Sequence, residues 1–245
     1  MKYDSFTDRG SVRTENQDSV FVTEVRSRSC LAAVVCDGMG GVHGGKLASE
    51  LAVSGYMAEL RRSLIAGDDK KPNLAAAMDA ACVAANQVVY GYSVANTENA
   101  GMGTTLVAVT IRGRTAEIIH IGDSRAYLIE KKTIRRLTKD HSVVEEMVER
   151  GQISPEEAEH HPQKHLITRA VGVDPQVSAD HTTIKLRFGS KLLLCSDGLS
   201  NALTDQEILD ICRESRRPDR VCRRLAAAAL NHHAGDNITA VIVQA

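Results

Sequence analysis

Apolar runs in this chain repeatedly meet an aspartate flanked by glycine or asparagine: VVCDG, IIHIGD, LLLCSDG and GDNIT carry Asp37, Asp123, Asp197 and Asp236. ENQDS adds Asp18 at the head of the alternating stretch SVFVTEV. Alternating and continuous apolar runs of this kind read as strands. The chain is therefore constrained to a sheet protein that delivers carboxylates to strand ends, where glycine lets the backbone turn sharply and approach closely. One such aspartate alone would read as a turn residue, but their repetition points to convergence. Carboxylates gathered without a counter-charge repel one another. A hard divalent cation supplies that charge, and an all-oxygen donor set favours Mg²⁺ or Mn²⁺ over zinc.

Other segments fill in the architecture. QDSVFVTEV (17–25) and CLAAVVCD (30–37) read as strands. Ala- and Leu-rich stretches from Gly45 to about Leu64, and from Asn73 to about Ala95, carry helical periodicity on either side of the turn-rich AGDDKKPN. Residues 104–138 hold β-rich runs separated by RG, GD and KK, which predict antiparallel hairpins rather than parallel crossovers. The polar segment 141–172 breaks the pattern, with a helix start at Ser154-Pro155-Glu156-Glu157. It reads as a flap-like insertion beside an active site. Strands resume near 178–196, helices follow at about 204–214 and 218–232, and NITAVIVQA closes as a strand. The expectation is a single α+β domain over 1–245, its antiparallel sheet and long helices in separate blocks.

Composition narrows the function. Lys plus Arg number 30 against 31 Asp plus Glu, a net charge of −1, so nothing draws the chain toward nucleic acid or an anionic membrane. Its start, MKYDSFTDRG, lacks an apolar signal core, and no run approaches the length of a membrane span. Six cysteines lie scattered without CxxC pairing, which disfavours structural zinc and a disulfide framework. A reduced, cytoplasmic, monomeric protein is the expectation.

Competing chemistries fail on single residues. Gly40, Gly45 and Lys46 in GGVHGGKL open like a phosphate-binding P-loop, but Leu47 stands where a magnesium-ligating Ser or Thr is needed. No cysteine is followed at the required spacing by the arginine of a cysteine-phosphatase loop. GDSRA and GLSNA each miss the nucleophile elbow of serine hydrolases at the last position.

Taken in order, RGSVRTENQD, CDGMGG, GMGTT, IGDSRAYL, CSDGL and GDNIT resemble the motif series of the metal-dependent, 2C-type protein phosphatases, from about Asp8 to Val243. The resemblance implies a four-layer α-β-β-α sandwich, two packed antiparallel sheets flanked by helices. It also implies Mn²⁺- or Mg²⁺-dependent hydrolysis of phosphoserine and phosphothreonine in proteins by a metal-activated water, opposing Ser/Thr kinases. Carried over by position, Asp37 would bridge two metals with the Gly38 carbonyl as a further ligand. Asp197 and Asp236 would complete the first metal's ligands, and Asp18 would lie on the second metal's side. Arg13 would grip the substrate phosphate, and Asp123 would share a weaker third metal with Asp197.

The sequence departs from the family pattern at two positions. The histidine that often follows DGMGG is replaced by Val42, and His43 comes one residue later, read either as a loop residue or as the candidate general acid, a task that a metal-bound water could also perform; Lys46 stands where an acidic residue is common. His160, His161 and His165 read as part of a solvated flap, His232-His233 as a helix end, and the arginines between 213 and 224 as a solvated face. A catalytically inactive metal-binding module is the rival reading, but it would need a lost ligand and every metal position is filled.

Overall fold

The computed structural model describes residues 1–25, 29–66 and 73–245, the side chains of residues 41–43 excepted. Among the described residues the strands are β1 (Lys2–Asp8), β2 (Asp18–Val25), β3 (Cys30–Met39), β4 (Gly103–Thr104), β5 (Leu106–Arg112), β6 (Thr115–Ile121), β7 (Arg125–Ile129), β8 (Ile134–Arg136), β9 (Asp180–Lys185), β10 (Lys191–Cys195) and β11 (Ile238–Gln244). The helices are α1 (Gly41–Ala66), α2 (Leu74–Ala95), α3 (Val143–Glu149), α4 (Pro155–Glu159), α5 (Asp197–Ser200), α6 (Asp205–Glu214) and α7 (Pro218–Asn231).

Two antiparallel sheets form, one ordered β1-β11-β10-β7-β8 and the other β2-β3-β5-β6-β9, with β4 against β3. The continuous apolar runs arise because most central strands are covered on both faces. In β3, Leu31, Ala33 and Val35 enter the core between the sheets, while Ala32, Val34 and Cys36 face α1 and α2. In β10, Leu192 and Leu194 face the opposite sheet, and Leu193 and Cys195 pack with α6 and α7. Period-two alternation is thus split between two apolar cores instead of between core and water. Three cores separate four layers, helix, sheet, sheet, helix.

Several boundaries differ from expectation. α1 begins at Gly41 rather than Gly45, and β3 runs through Asp37 to Met39. The GD connection is no hairpin: β6 lies in one sheet and β7 in the other, so Gly122-Asp123 crosses between them. β1 is not among the strands expected from sequence. It is an edge strand whose one strongly apolar anchor, Phe6, packs against the outer core. Between β8 and β9 the chain carries α3 and α4, the latter opened by the expected capping box, Ser154 with Glu157. Among the described residues no helix is long and apolar enough to cross a membrane.

Candidate active site

Antiparallel pairing gathers the aspartates at one end of the sandwich. β2 starts where β3 is ending, and their register sets Asp18 opposite Asp37. In the other sheet Cys195, the last residue of β10, pairs with Ala240 near the start of β11 and with Arg125 at the start of β7. Asp197, Asp236 and Asp123 sit just beyond those three strand ends. A cavity of about 680 Å³ opens there, lined by Asp37, Asp123, Asp197 and Asp236 together with Arg13 and Gly38. Asp18 lies behind it, buried, its Oδ2 accepting a 2.7 Å hydrogen bond from Ser196 Oγ.

The local scaffolding explains other motif residues. Thr105 N donates to Asp37 O at 2.8 Å and Asp37 N donates to Thr105 Oγ1 at 3.0 Å. Thr105 Oγ1 also lies 2.7 Å from Ser124 Oγ, so one threonine ties the Asp37 strand to the Asp123 crossing. Asn237 clamps the 9–17 loop: its Nδ2 donates to Arg9 O and Glu15 O, and its Oδ1 accepts from Gln17 N. That loop carries Arg13, whose Nη2 reaches Asp236 Oδ2 at 2.7 Å. Gly38 is needed for close approach, because a Cβ there would stand 1.9 Å from Gly45 O and 2.7 Å from Gln17 O.

Electrostatics show an acidic centre without protein counter-charge equal to it. Burial raises the Asp18 carboxyl to about 6; hydroxyls of Thr239 and Ser196 oppose the shift, and Asp197 and Asp236 add to it. Burial and then the charge of Asp197 raise Asp123 to about 7. Burial, followed by repulsion from Asp18, Asp197, Asp123 and Asp236, holds Asp37 far above the usual carboxylate range. Asp197 is raised by burial and then by Asp236. Among the described residues, Asp18 Oδ1 and Asp197 Oδ1 are buried without a hydrogen-bond partner. Orphaned anionic oxygens inside a protein are costly unless a cation is bound to them. All-oxygen donors in that state fit a hard divalent ion.

A model of the family described as Protein phosphatase 2C matches residues 9–234. The chain belongs to the protein phosphatase 2C family. It is 35% identical over 240 residues to the serine/threonine phosphatase stp of Listeria welshimeri, covering 97% of this chain and 93% of that one. Among solved structures, Stp1 from Staphylococcus aureus aligns with a TM-score of 0.90 at 34% identity, over 99% of this chain and 94% of the other. The catalytic domain of the phosphatase PstP in complex with two manganese ions aligns with a TM-score of 0.85 at 34% identity, over 99% and 97%. The chain is thus by family a protein serine/threonine phosphatase, and its four layers are those of the 2C-type fold.

Not every residue singled out in the sequence joins the cavity. His165, His232 and His233 line it, whereas His160 and His161 do not. Lys46 pairs with Glu15 at 3.9 Å. Among the arginines after 212, Arg213, Arg217, Arg223 and Arg224 form ion pairs with Asp210, Asp219 and Glu214, as a solvated face would. The His43 side chain lies outside the described residues. Sequence reasoning passed over Thr105 and Asn237 as individual residues, although GMGTT and GDNIT contain them.

Proposed function

We propose that this acidic centre holds two divalent cations, Mn²⁺ or Mg²⁺, and that phosphorylated proteins are dephosphorylated there in opposition to Ser/Thr kinases. Asp37 would serve as the shared ligand with the Gly38 carbonyl as a further one, Asp197 and Asp236 would complete one ion's set, and Asp18 would stand on the other's side. Asp123 and Asp197 would take a weaker third ion. The observation that carries the reading is the pair of buried oxygens, Asp18 Oδ1 and Asp197 Oδ1, that have no hydrogen-bond partner among the described residues, with the Asp18, Asp37 and Asp197 carboxyls raised by burial and mutual repulsion. When bound, such ions supply Lewis acidity and lower the pKa of water toward neutrality.

The protein's own groups account for substrate handling. Arg13 is half-exposed at the cavity rim and held by Asp236 along one edge. Its planar fork suits two phosphate oxygens and would stabilise charge developing on them in the transition state. Asn237 keeps the loop bearing Arg13 in place through backbone carbonyls. His43 is the proton donor that the sequence suggests for the leaving serine or threonine oxygen.

Hydrolysis of p-nitrophenyl phosphate and of a phosphothreonine peptide tests the reading. Turnover should need Mn²⁺ or Mg²⁺, vanish in EDTA, return on adding Mn²⁺, and fall in Asp37→Asn and Asp236→Asn by more than about 100-fold, beyond the range of outer-shell changes. Undiminished turnover in EDTA would overturn it.

A further inference from the structure

His120, His141 and Asp180, none of them among the residues lining the acidic cavity, offer ligand atoms within 4.8 Å of one another. Proton placement argues against a metal there. Gly122 N donates to His141 Nδ1 at 3.1 Å, so that nitrogen's lone pair is committed and the proton of the neutral ring sits on Nε2. Nε2 faces Asp180 Oδ2 at 3.4 Å, with Arg169 Nη1 at 3.3 Å. A nitrogen bearing hydrogen, with a guanidinium beside it, does not ligate a cation.

The same bonds give His141 another task. Its backbone N donates to Gly122 O at 2.9 Å while its ring accepts from Gly122 N. Both backbone polar groups of Gly122, the residue before Asp123, are therefore held by one buried histidine. Gly122 has φ +99°, and a Cβ there would press on Thr105 at 2.7 Å, so the crossing is confined on its other side as well. The neighbouring Asp140 grips Arg125, two residues after Asp123, through Nε and Nη2. Asp123 is bracketed from both sides by consecutive residues.

Both ends of the insertion hang on the same segment. Ser142 caps α3 through Glu145 N and bridges to Ile167. Thr168 N donates to His141 O at 2.8 Å, and Arg169 reaches Asp180 Oδ1 at 2.9 Å beside the histidine ring. Arg169 and Thr168 follow Ile167, which lines the active cavity with His165.

We propose that His141 is a positioning residue: it sets the backbone of Asp123 and joins that carboxylate to the insertion through Arg169 and Asp180. The proposal rests on the reading of Asp123 as a cation ligand. It makes the placement of the insertion and the binding of the weaker ion parts of one mechanical unit.

Three variants separate the parts. His141→Leu removes the ring's contacts with Gly122, Asp180 and Arg169; His141→Asn keeps an acceptor near the place of Nδ1 but loses the reach to Asp180; Asp180→Asn changes only the arm toward the insertion. Two readouts are independent of turnover. Deuterium exchange of the Gly122 amide should accelerate in His141→Leu and stay slow in His141→Asn. Calorimetric titration of the metal-free protein with Mn²⁺ alone should show the weakest site lost in Asp123→Asn. That site should weaken about 10- to 100-fold in His141→Leu and recover most of its affinity in His141→Asn, with the tighter sites unchanged. Asp180→Asn should raise KM for a phosphothreonine peptide more than for p-nitrophenyl phosphate, with little change in kcat.

A weakest site unaltered in Asp123→Asn would overturn the ligand reading and the proposal with it. A site lost in Asp123→Asn but intact in His141→Leu, or a Gly122 amide that exchanges as slowly in His141→Leu, would overturn the positioning role alone. If His141→Leu does not fold, the exchange and affinity of His141→Asn decide: loss of both there also overturns it.

Discussion

At the scale of single residues, charge and space govern the site. Carboxyls with raised pKa favour the protonated form in the fold, so their contribution to stability is fully present below the ordinary carboxylate pKa of about 4. It is lost as pH rises through about 6 for Asp18 and about 7 for Asp123. A divalent ion reverses that loss by favouring the ionised form. Melting curves in EDTA and in Mn²⁺ should therefore diverge with pH, the gain in Tm from Mn²⁺ being larger at pH 8 than at pH 5. An equal gain at both would contradict the electrostatic account. Space is equally strict at Gly38. A methyl group placed 1.9 Å from Gly45 O must push α1 from β3, so Gly38→Ala should cost about 1–3 kcal/mol or more in urea unfolding.

At the scale of elements, the site depends on ties made by side chains beside the regular strand ladders. Thr105 is the clearest, holding Asp37 by backbone and side chain and touching Ser124 with the same hydroxyl. Thr105→Val keeps the shape and leaves the Asp37 amide without its acceptor, a loss of about 1–3 kcal/mol. Urea titration checks the stability loss, and a rise in the Mn²⁺ concentration needed for half-maximal activity should accompany it. An unchanged midpoint in urea would show that Asp37 is held by strand pairing alone. Most strands and the helix start at Ser154 were legible because each is written in adjacent residues. The tie at Thr105 was not, since its partners lie 68 and 19 positions away.

At the scale of the whole molecule, two sheets close on one core and each carries a second core under its helices. All six cysteines are buried, and burial pushes the Cys195, Cys212 and Cys222 thiols up to about 12. A thiol reagent should label none of them in the folded protein at pH 7.5 and all six once urea unfolds it; rapid labelling of any one in native buffer would show a local opening. The chain's own residue order determined where strands and helices form, which runs end in carboxylates, and which chemistry those carboxylates suit, because periodicity and residue type act over a few neighbours. It did not determine that β1 exists as an edge strand, or that Gly122-Asp123 passes from sheet to sheet instead of turning a hairpin. Nor did it place Asn237 as the clamp on the loop bearing Arg13. Those were decided in three dimensions, where register sets Asp18 opposite Asp37 and brings Gln17 to Asn237 across 220 residues. Pairing of that range depends on the packing of the entire sandwich, which no local stretch encodes.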